Sequence, residues 1–414
     1  MAAQNWPELR IGDLGDVSTG RTPPTERASY FGNDFPFVTP GDMHQGMYAR
    51  ETQRSLSHEG AELLKRNKLP ANSVCVSCIG WQMGEVIMTD RPSFTNQQIN
   101  TIVPNNNVDA LFLYYSMRTR KKELLSLGSA TGVRTPILNK SAFCDTKVVV
   151  PPLPIQRRVA GILSVYDELI ENSQRRIKIL ESMARGLYRE WFVHFRFPGH
   201  ESVPRVPSTL GEIPKGWEVK TVADAIVITG GGTPSRKEDE YWKGGTIQWY
   251  SPSDLTGAGT MFMDDSSDHI TELGLSQSSA RMFPARCVML TSRATIGAIA
   301  INTEPACTNQ GFITCMPNER VPLYYLFHWL TENVPTFHRM ASGATFKEIS
   351  RGVFKNIEFL QPPNEVVEQF EGIAVPLSEQ VLALQRQIQN LRRTRDLLLP
   401  RLLSGQIDVG NYQQ

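Results

Sequence analysis

The sequence predicts an α+β chain built twice over, each copy a β-rich globular unit followed by one long helix. Three observations carry that reading. Residues recur in order at an offset near 211 positions, a Pro-Pro pair closes each globular stretch, and an apolar stripe in steps of three and four follows each pair. The length agrees: 414 residues is more chain than one ordinary domain of roughly 100–200 residues uses.

The duplication is read from matched marks. Trp6 and Trp217, Tyr30 and Tyr241, Thr22-Pro23 and Thr233-Pro234, and Pro151-Pro152 and Pro362-Pro363 all lie 211 apart. Between these marks the offset drifts. It is 212 from Pro40-x-Asp42 to Pro252-x-Asp254, and 213 from Thr95-Asn-Gln97 to Thr308-Asn-Gln310 and from Gly84 to Gly297. At Ile162 and Ile373 it is 211 again. A register that drifts out and returns is what small loop insertions do to a duplicated domain.

The first globular unit is residues 1–152. Within it Val74–Ile79 and Val86–Met88 read as strands, and Val108–Met117 as a short buried helix. The second unit, residues 217–362, repeats this with strands at Cys287–Thr291 and Ile296–Ile301 and a helix at Val321–Leu330. The Pro-Pro pairs end each unit because neither a helix nor a central strand continues through them. Cys75 and Cys78 are the only cysteine pair at metal or redox spacing. On a strand, three positions send the two thiols to opposite faces, so the six cysteines are expected to be small core residues in a reducing cytoplasm.

The helices follow. In residues 153–195, apolar or small side chains fall at 155, 159, 162, 166, 169, 173, 177, 180, 184, 187 and 191. In residues 363–405 the stripe is Leu377, Val381, Leu384, Ile388, Leu391, Leu398 and Leu402, with Arg395 interrupting it. One such stripe is an ordinary amphipathic helix, but two can bury each other as a two-stranded coiled coil. About 40 residues at 1.5 Å each make a rod of roughly 60 Å. Pro376 is expected to kink the second helix or mark its start. Between the copies, residues 196–216 form a Pro-rich linker from Pro198 through Pro204, Pro207 and Pro214, and residues 406–414 are a tail.

Composition narrows the class. The 43 Lys+Arg against 42 Asp+Glu leave a net charge of +1, which excludes a strongly basic nucleic-acid coat or an acidic tail protein. It leaves DNA binding open, because counterion release depends on local clusters of cations. No secretory signal and no run of 18 apolar residues is visible, so the expectation is a cytoplasmic chain without a membrane partner.

Catalytic motifs are missing. Gly15-Asp-Val-Ser-Thr-Gly20-Arg21-Thr22 approaches a phosphate-binding loop, but Arg stands where that loop needs Lys, and the duplicate has Ile226 in place of Gly15. Glu218-x-Lys220 is half of a nuclease pattern, without a Pro-Asp dipeptide to complete it. No Asn/Asp-Pro-Pro-Tyr/Phe motif for amino-methylation occurs, and the seven histidines show no metal spacing.

The string Gly231-Gly-Thr-Pro-Ser235 with Tyr241-Trp242 is followed by Ile247-x-Trp249-x-x-Pro252-x-Asp254, Ser292-Arg-Ala-Thr-Ile-Gly297, Thr308-Asn-Gln-Gly311 and Gly343-Ala-Thr-Phe-Lys-Glu-Ile-Ser350. With the helix openings Pro151-Pro-Leu-Pro-Ile-Gln156 and Pro362-Pro-Asn-Glu365, these residues resemble the specificity subunit of a type I restriction–modification system. The resemblance spans essentially the whole chain. In the first copy Gly20-Arg-Thr-Pro-Pro24 and Ser77-Cys-Ile-Gly-Trp-Gln-Met-Gly84 depart from the second-copy strings, as two units reading different sequences would. The resemblance implies two target-recognition domains separated by two long antiparallel coiled-coil helices, with pseudo-twofold symmetry. Each domain would read one half of a split double-stranded DNA site while the helices set the spacer. Two modification subunits, methylating adenine with S-adenosylmethionine, and two restriction subunits, using ATP and Mg, would dock on this scaffold. The chain itself would bind no cofactor or metal and have no catalytic residue.

On that model the DNA-binding candidates are basic and amide residues in loops. In the second domain they are Arg236, Lys237, Arg293, Asn309, Gln310, Thr345, Lys347 and Ser350. A guanidinium can fork onto guanine and an amide can pair with adenine, while Lys347 with Thr345 and Ser350 suits phosphate. In the first domain the equivalents in kind are Arg21, Thr22, Lys65, Arg66, Lys68, Gln82, Arg134 and Lys140. On the helices Arg175, Arg176, Trp191, Phe192, Arg386 and Arg392 are candidates for subunit docking. The aromatic run from Tyr188 to Phe195 is expected to pack on the base of a recognition domain or on a partner. Two other readings stay open at this point: a methyltransferase or nuclease with degenerate motifs, and a coiled-coil adaptor that never touches DNA.

Overall fold

A computed structural model describes residues 6–44, 46–129, 134–293, 295–343 and 347–410. The chain divides into two compact units, one of Met1–Asn172 with Ile388–Gln414 and the other of Ser173–Gln387. Each unit holds one β-rich body and a stretch of both long helices.

In unit 1 the main sheet is antiparallel, in the order Gly15–Thr19, Ile99–Pro104, Val74–Ser77, Val86–Met88. A second small sheet ends in Phe35–Val38 running parallel to Phe94–Thr95. The first strand, Glu8–Arg10, pairs antiparallel with Lys147–Val149 just before the Pro-Pro pair. The helix Ala110–Arg118 buries Phe112, Leu113, Tyr115 and Met117 in the same apolar cluster as Val74, Val76 and Met88 of the sheet.

Unit 2 repeats those pairings. Its main sheet runs Val227–Gly230, Phe312–Met316, Val288–Thr291, Ile299–Asn302, with Phe262–Met263 added at the edge. Ile247–Tyr250 lies parallel to Ala306–Thr308, and Glu218–Thr221 lies antiparallel to Glu358–Gln361. The strand expected at Ile296–Ile301 begins only at Ile299, because Gly297 turns the chain at φ 96° while Ile296 is buried beneath the turn.

Three expectations are corrected by packing. The helix read as Val321–Leu330 runs through Leu323–Met340, past Pro335. Phe337 beyond the proline is fully buried between Trp329 and Phe354, and that tertiary burial outweighs the missing N–H. Pro376 does not start the second long helix, which spans Asn364–Leu403 and gains Val367, Phe370 and Ala374 as buried residues ahead of it. The Pro-rich linker is folded: Arg205–Ser208 and Gly211–Pro214 form an antiparallel hairpin, and Ile213 joins the aromatic core around Trp217.

The first long helix spans Leu153–Tyr188 and continues through one π turn, Arg189–Val193. Within unit 1 the two helices run antiparallel. Arg158 donates to the Val409 and Gly410 carbonyls, Asp167 pairs with Arg395, and Val159 and Leu163 share one cluster with Leu399 and Leu402. Within unit 2 they again run antiparallel: Leu180 and Ala184 line a cavity of about 320 Å³ with Leu377 and Val381, and Tyr188 meets Phe370 at 5.9 Å. The stripe is rotated by one residue from the expected one in its first half. Ile162 and Leu169 are exposed, while Leu163 and Ile170 are buried. Arg395 does not interrupt the second stripe but belongs to it, buried through its pair with Asp167.

Candidate nucleic-acid interface

The duplication extends to single hydrogen bonds at one end of each sheet. Thr22 Oγ1 donates to Gln97 Oε1 at 2.6 Å, and Thr233 Oγ1 donates to Gln310 Oε1 at 2.6 Å. The residues two positions before these threonines are glycines because nothing else fits. A Cβ on Gly20 would stand 2.2 Å from the Asn96 carbonyl oxygen, and one on Gly231 would stand 2.1 Å from that of Thr308. Thr39 with Asp42, and Ser251 with Asp254, close matching capping boxes. The carboxylates reach further, accepting from the backbone N–H of Gln53 and Ser267 respectively. Each β-rich body is thus braced around the same loops.

In unit 2 those loops enclose a cleft of about 300 Å³ lined by Gly230, Gly231, Ser292, Arg293, Gln310, Phe312 and the run Glu348 to Arg351. Arg293, Gln310 and Ser350 therefore converge from three separate segments. Arg293 Nε lies 2.8 Å from Glu348 Oε1. Ser350 has a structural duty, since its hydroxyl accepts from Val353 N and caps the helix Arg351–Lys355. Asn309 is half-buried and its Oδ1 accepts from Gly311 N at 2.8 Å, a turn role rather than an outward amide. Lys347 is exposed beside Glu348. Thr345 lies outside the described residues. Arg236 is not in the cleft. It stacks over the Trp242 ring at 3.5 Å and pairs with Asp268, and Lys237 follows it exposed. Trp242 meets Trp249 edge-on at 5.1 Å.

Arg351 is a lining residue that sequence reading missed. Its guanidinium lies against Gly230, within 2.8 Å of where a Cβ would stand. The signal was available: Lys140, chosen in the first domain, precedes Arg351 by 211 positions, and each opens the helix after a capping Asn139 or Ser350.

In unit 1 the candidates fall into two neighbouring groups. Asn67 Nδ2 donates to the Thr19 carbonyl, which ties the turn bearing Lys65, Arg66 and Lys68 to the strand end before Arg21 and Thr22. Lys65 pairs with Glu62, and Lys68 sits 5.0 Å over the Phe35 ring. The second group is built by Leu138 N donating to Cys78 O and Gly80 N to Pro136 O. Exposed Gln82, Arg134 and Lys140 flank the two segments joined by these bonds. Cys78 N donating to Gln98 O joins this group to the Asn96–Gln97 loop.

The helix candidates divide by burial. Trp191 and Phe192 are corrected from docking residues to core: they are 7 % and 6 % exposed and pack with Tyr188, Tyr325, Phe370 and Trp217. A solvated helix end cannot carry that much aromatic surface, and the base of the unit 2 body absorbs it. Arg386 grips both oxygens of Asp264. Burial opposes ionisation there, but the guanidinium holds the Asp264 carboxyl below its usual range. Arg175, Arg176 and Arg392 are exposed on the helices.

Among the described residues no group of three His, Cys, Asp or Glu is placed to hold a metal ion. Burial pushes the Cys75 and Cys78 thiols up to about 12, and the two belong to different apolar clusters. Among the described residues no helix is long and apolar enough to cross a membrane.

Comparison with known proteins gives one answer. The family model described as the type I restriction modification DNA specificity domain matches residues 3–182 and again residues 214–383. The chain is 26 % identical over 414 residues to the type I restriction enzyme MjaIX specificity subunit of Methanocaldococcus jannaschii, covering 98 % of this chain and 94 % of that one. It is 34 % identical over 184 residues to the HindI specificity subunit of Haemophilus influenzae, covering 43 % and 39 % respectively. The crystal structure of a type I restriction–modification S subunit from M. genitalium shares the fold, with a TM-score of 0.63, 16 % identity and 96 % of each chain covered.

Proposed function

The chain belongs to the type I restriction–modification DNA specificity family, and on that footing we propose that each of its β-rich units reads one half of a bipartite double-stranded DNA site. The observation that carries this is the doubled loop cluster. The same frame, Thr22 to Gln97 and Thr233 to Gln310, is built twice, yet the side chains around it differ. One frame with two sets of side chains is what a reader of two unlike half-sites needs.

In unit 2, Arg293 is the guanine-reading candidate and Gln310 the adenine-reading one, with Lys347 and Arg351 placed for phosphate. In unit 1, Gln82 is the amide reader, while Arg21, Lys65, Arg66, Lys68, Arg134 and Lys140 supply the cations. The helix pair sets the spacer between halves and docks two modification and two restriction subunits. S-adenosylmethionine, ATP and Mg belong to those partners, and this chain supplies recognition and no reacting group. An exchange tests the reading. Residues 1–150 are replaced by those of a relative, and the methylated motif is determined by methylome sequencing. One half of the motif is expected to change; a change in both halves, or in neither, overturns the proposal.

A further inference from the structure

The turn Gly80–Gly84 of unit 1 holds an indole in solvent on a rigid frame. Trp81 is 71 % exposed, more than any other large apolar side chain among the described residues. Its neighbours are pinned. Gly80 N donates to Pro136 O, Met83 N to Gly80 O, and Gly84 N to Ser77 O. Met83 is fully buried, and Gly84, at φ 84°, packs so closely on Lys121 that a Cβ would fall 2.7 Å from the Lys121 Cα. The indole is thus held open to solvent at the tip of a braced turn.

The corresponding segment of unit 2, which ends at Gly297, is one residue shorter, and Arg293 bridges Glu348 there as Ile79 bridges Ile137. Gly297 also has a positive φ, Ile296 is buried where Met83 is buried, and Ile349 N donates to Ser292 O as Leu138 N donates to Cys78 O. That turn delivers Arg293 to the cleft. Trp81 therefore stands two residues beyond Ile79, the counterpart of Arg293, at the tip of the turn equivalent to the one that delivers Arg293 to the cleft in unit 2.

We propose that Trp81 contacts a base pair of the DNA half-site read by unit 1 and so helps set the sequence of that half; the inference rests on the reading that unit 1 binds DNA. The indole carries no charge, so it neutralises no phosphate and releases no counterion. It offers an apolar face, which fits a base edge such as a thymine methyl in the major groove. The flanking segment supports a nucleic-acid partner over an apolar protein surface, because exposed Arg134 precedes, and exposed Lys140 follows, the residues Pro136 and Leu138 bonded to this turn. Those cations suit phosphates on either side of a contacted base.

The test uses the chain assembled with its modification subunits. Trp81→Ala and Trp81→Phe variants are compared with wild type by methylome sequencing and by duplex binding at several salt concentrations. Trp81→Ala is expected to relax base preference at one or two adjacent positions of one half only, with about tenfold weaker binding to the original motif. The slope of log affinity against log salt stays unchanged, since no phosphate contact is lost. Trp81→Phe retains part of the preference. Normal reading of the other half shows that the variant is folded. An unchanged motif with affinity within about twofold of wild type, or a uniform loss with a shallower salt slope, overturns the assignment. The exchange of residues 1–150 separates the two failures. If it alters one half and Trp81→Ala alters none, only the role of Trp81 falls; if it alters neither half, the DNA reading of unit 1 falls with it.

Discussion

Arg293 and Glu348 meet twice in unit 2: their backbones form an isolated antiparallel bridge, and Nε of Arg293 lies 2.8 Å from Oε1 of Glu348. Both side chains are more than a third exposed, so the pair contributes little to stability. What it does is orient. A carboxylate on the Nε side of a planar guanidinium leaves the two terminal nitrogens as a fork on the far side, the geometry that matches O6 and N7 of guanine.

Two substitutions follow from that geometry. Arg293→Lys keeps the charge and loses the fork, so it is expected to abolish preference at one base pair of the unit 2 half-site at a cost of about 1–3 kcal/mol. Glu348→Gln keeps the shape and loses the charge, and is expected to loosen preference at that same base pair while changing the unfolding midpoint little. Competition binding with singly substituted duplexes reads both effects. Different base pairs responding to the two variants would separate the residues.

Asp167 is the polar hub of the helix pair within unit 1. It accepts from Tyr115 Oη at 2.6 Å, pairs with Arg395 and stands 3.7 Å from Arg118, with its side chain only 12 % exposed. Asp167→Ala leaves buried Arg395 with only the half-exposed carboxylate of Asp396, at 2.9 Å, and is expected to cost up to about 3–5 kcal/mol. Tyr115→Phe, which deletes a single hydrogen bond to a carboxylate, is expected to cost about 2 kcal/mol. Replacing Asp167 and Arg395 together with apolar residues is expected to recover most of the loss. Urea unfolding of the three variants beside wild type checks this, and a double variant as unstable as Asp167→Ala contradicts it.

Glu371 gives unit 2 a pH dependence. Its carboxylate accepts from Tyr325 N at 2.7 Å at the start of the helix Leu323–Met340. Burial nevertheless pushes it up to about 7, from an ordinary value of 4.5, against the opposing backbone hydrogen bonds. Between those two values the folded chain keeps a proton that the unfolded chain has released. Stability therefore falls as pH rises through this window, and the penalty is complete above it. Glu371→Gln accepts the same hydrogen bond without a charge, so its advantage over wild type is expected to grow by roughly 2–3 kcal/mol between pH 5 and pH 8. Urea midpoints at the two pH values measure it; a difference that stays constant rules the mechanism out.

The duplication was legible because matched residues do matched jobs: Thr22 and Thr233, or Asp42 and Asp254, recur since the loops they brace recur. Other features were hidden because a one-dimensional pattern cannot see across the chain. Arg395 looked like a break in an apolar stripe, and only Asp167, 228 positions away, makes it a buried member. Ile162 and Leu169 fit a heptad as well as Leu163 and Ile170 do. The choice is made by the core of unit 1, where Leu163 shares a cluster with Leu113 and Leu402. The aromatic run holding Trp191 and Phe192 read as a packing element, but whether it packs on its own chain or on a partner is decided only by the aromatic wall of Tyr325 and Phe370. At the cleft, Arg293 and Gln310 were legible from residue type, while Arg351 required carrying the offset of 211 through to Lys140.

On the proposed function that offset also points to where the partners dock. Gly161-Ile162 on the first long helix and Gly372-Ile373 on the second are the same pair 211 positions apart. Both isoleucines are exposed, at 39 % and 44 %, and nothing lies within 4 Å of where a Cβ would stand on either glycine. An exposed glycine inside a helix costs about 1 kcal/mol relative to alanine, so its presence twice calls for a compensating use. Close approach of another backbone is one that glycine permits. On the proposed function the approaching element belongs to a modification subunit, and a surface present once in each unit accounts for two of them. Ile162→Glu is expected to lose one modification subunit, Ile373→Glu the other, and the double variant both, with the unfolding midpoint of the isolated chain little changed because both sites face solvent. Native mass spectrometry of the assembled complexes reads the stoichiometry directly. A double variant that still carries two modification subunits would place their docking elsewhere on the helices.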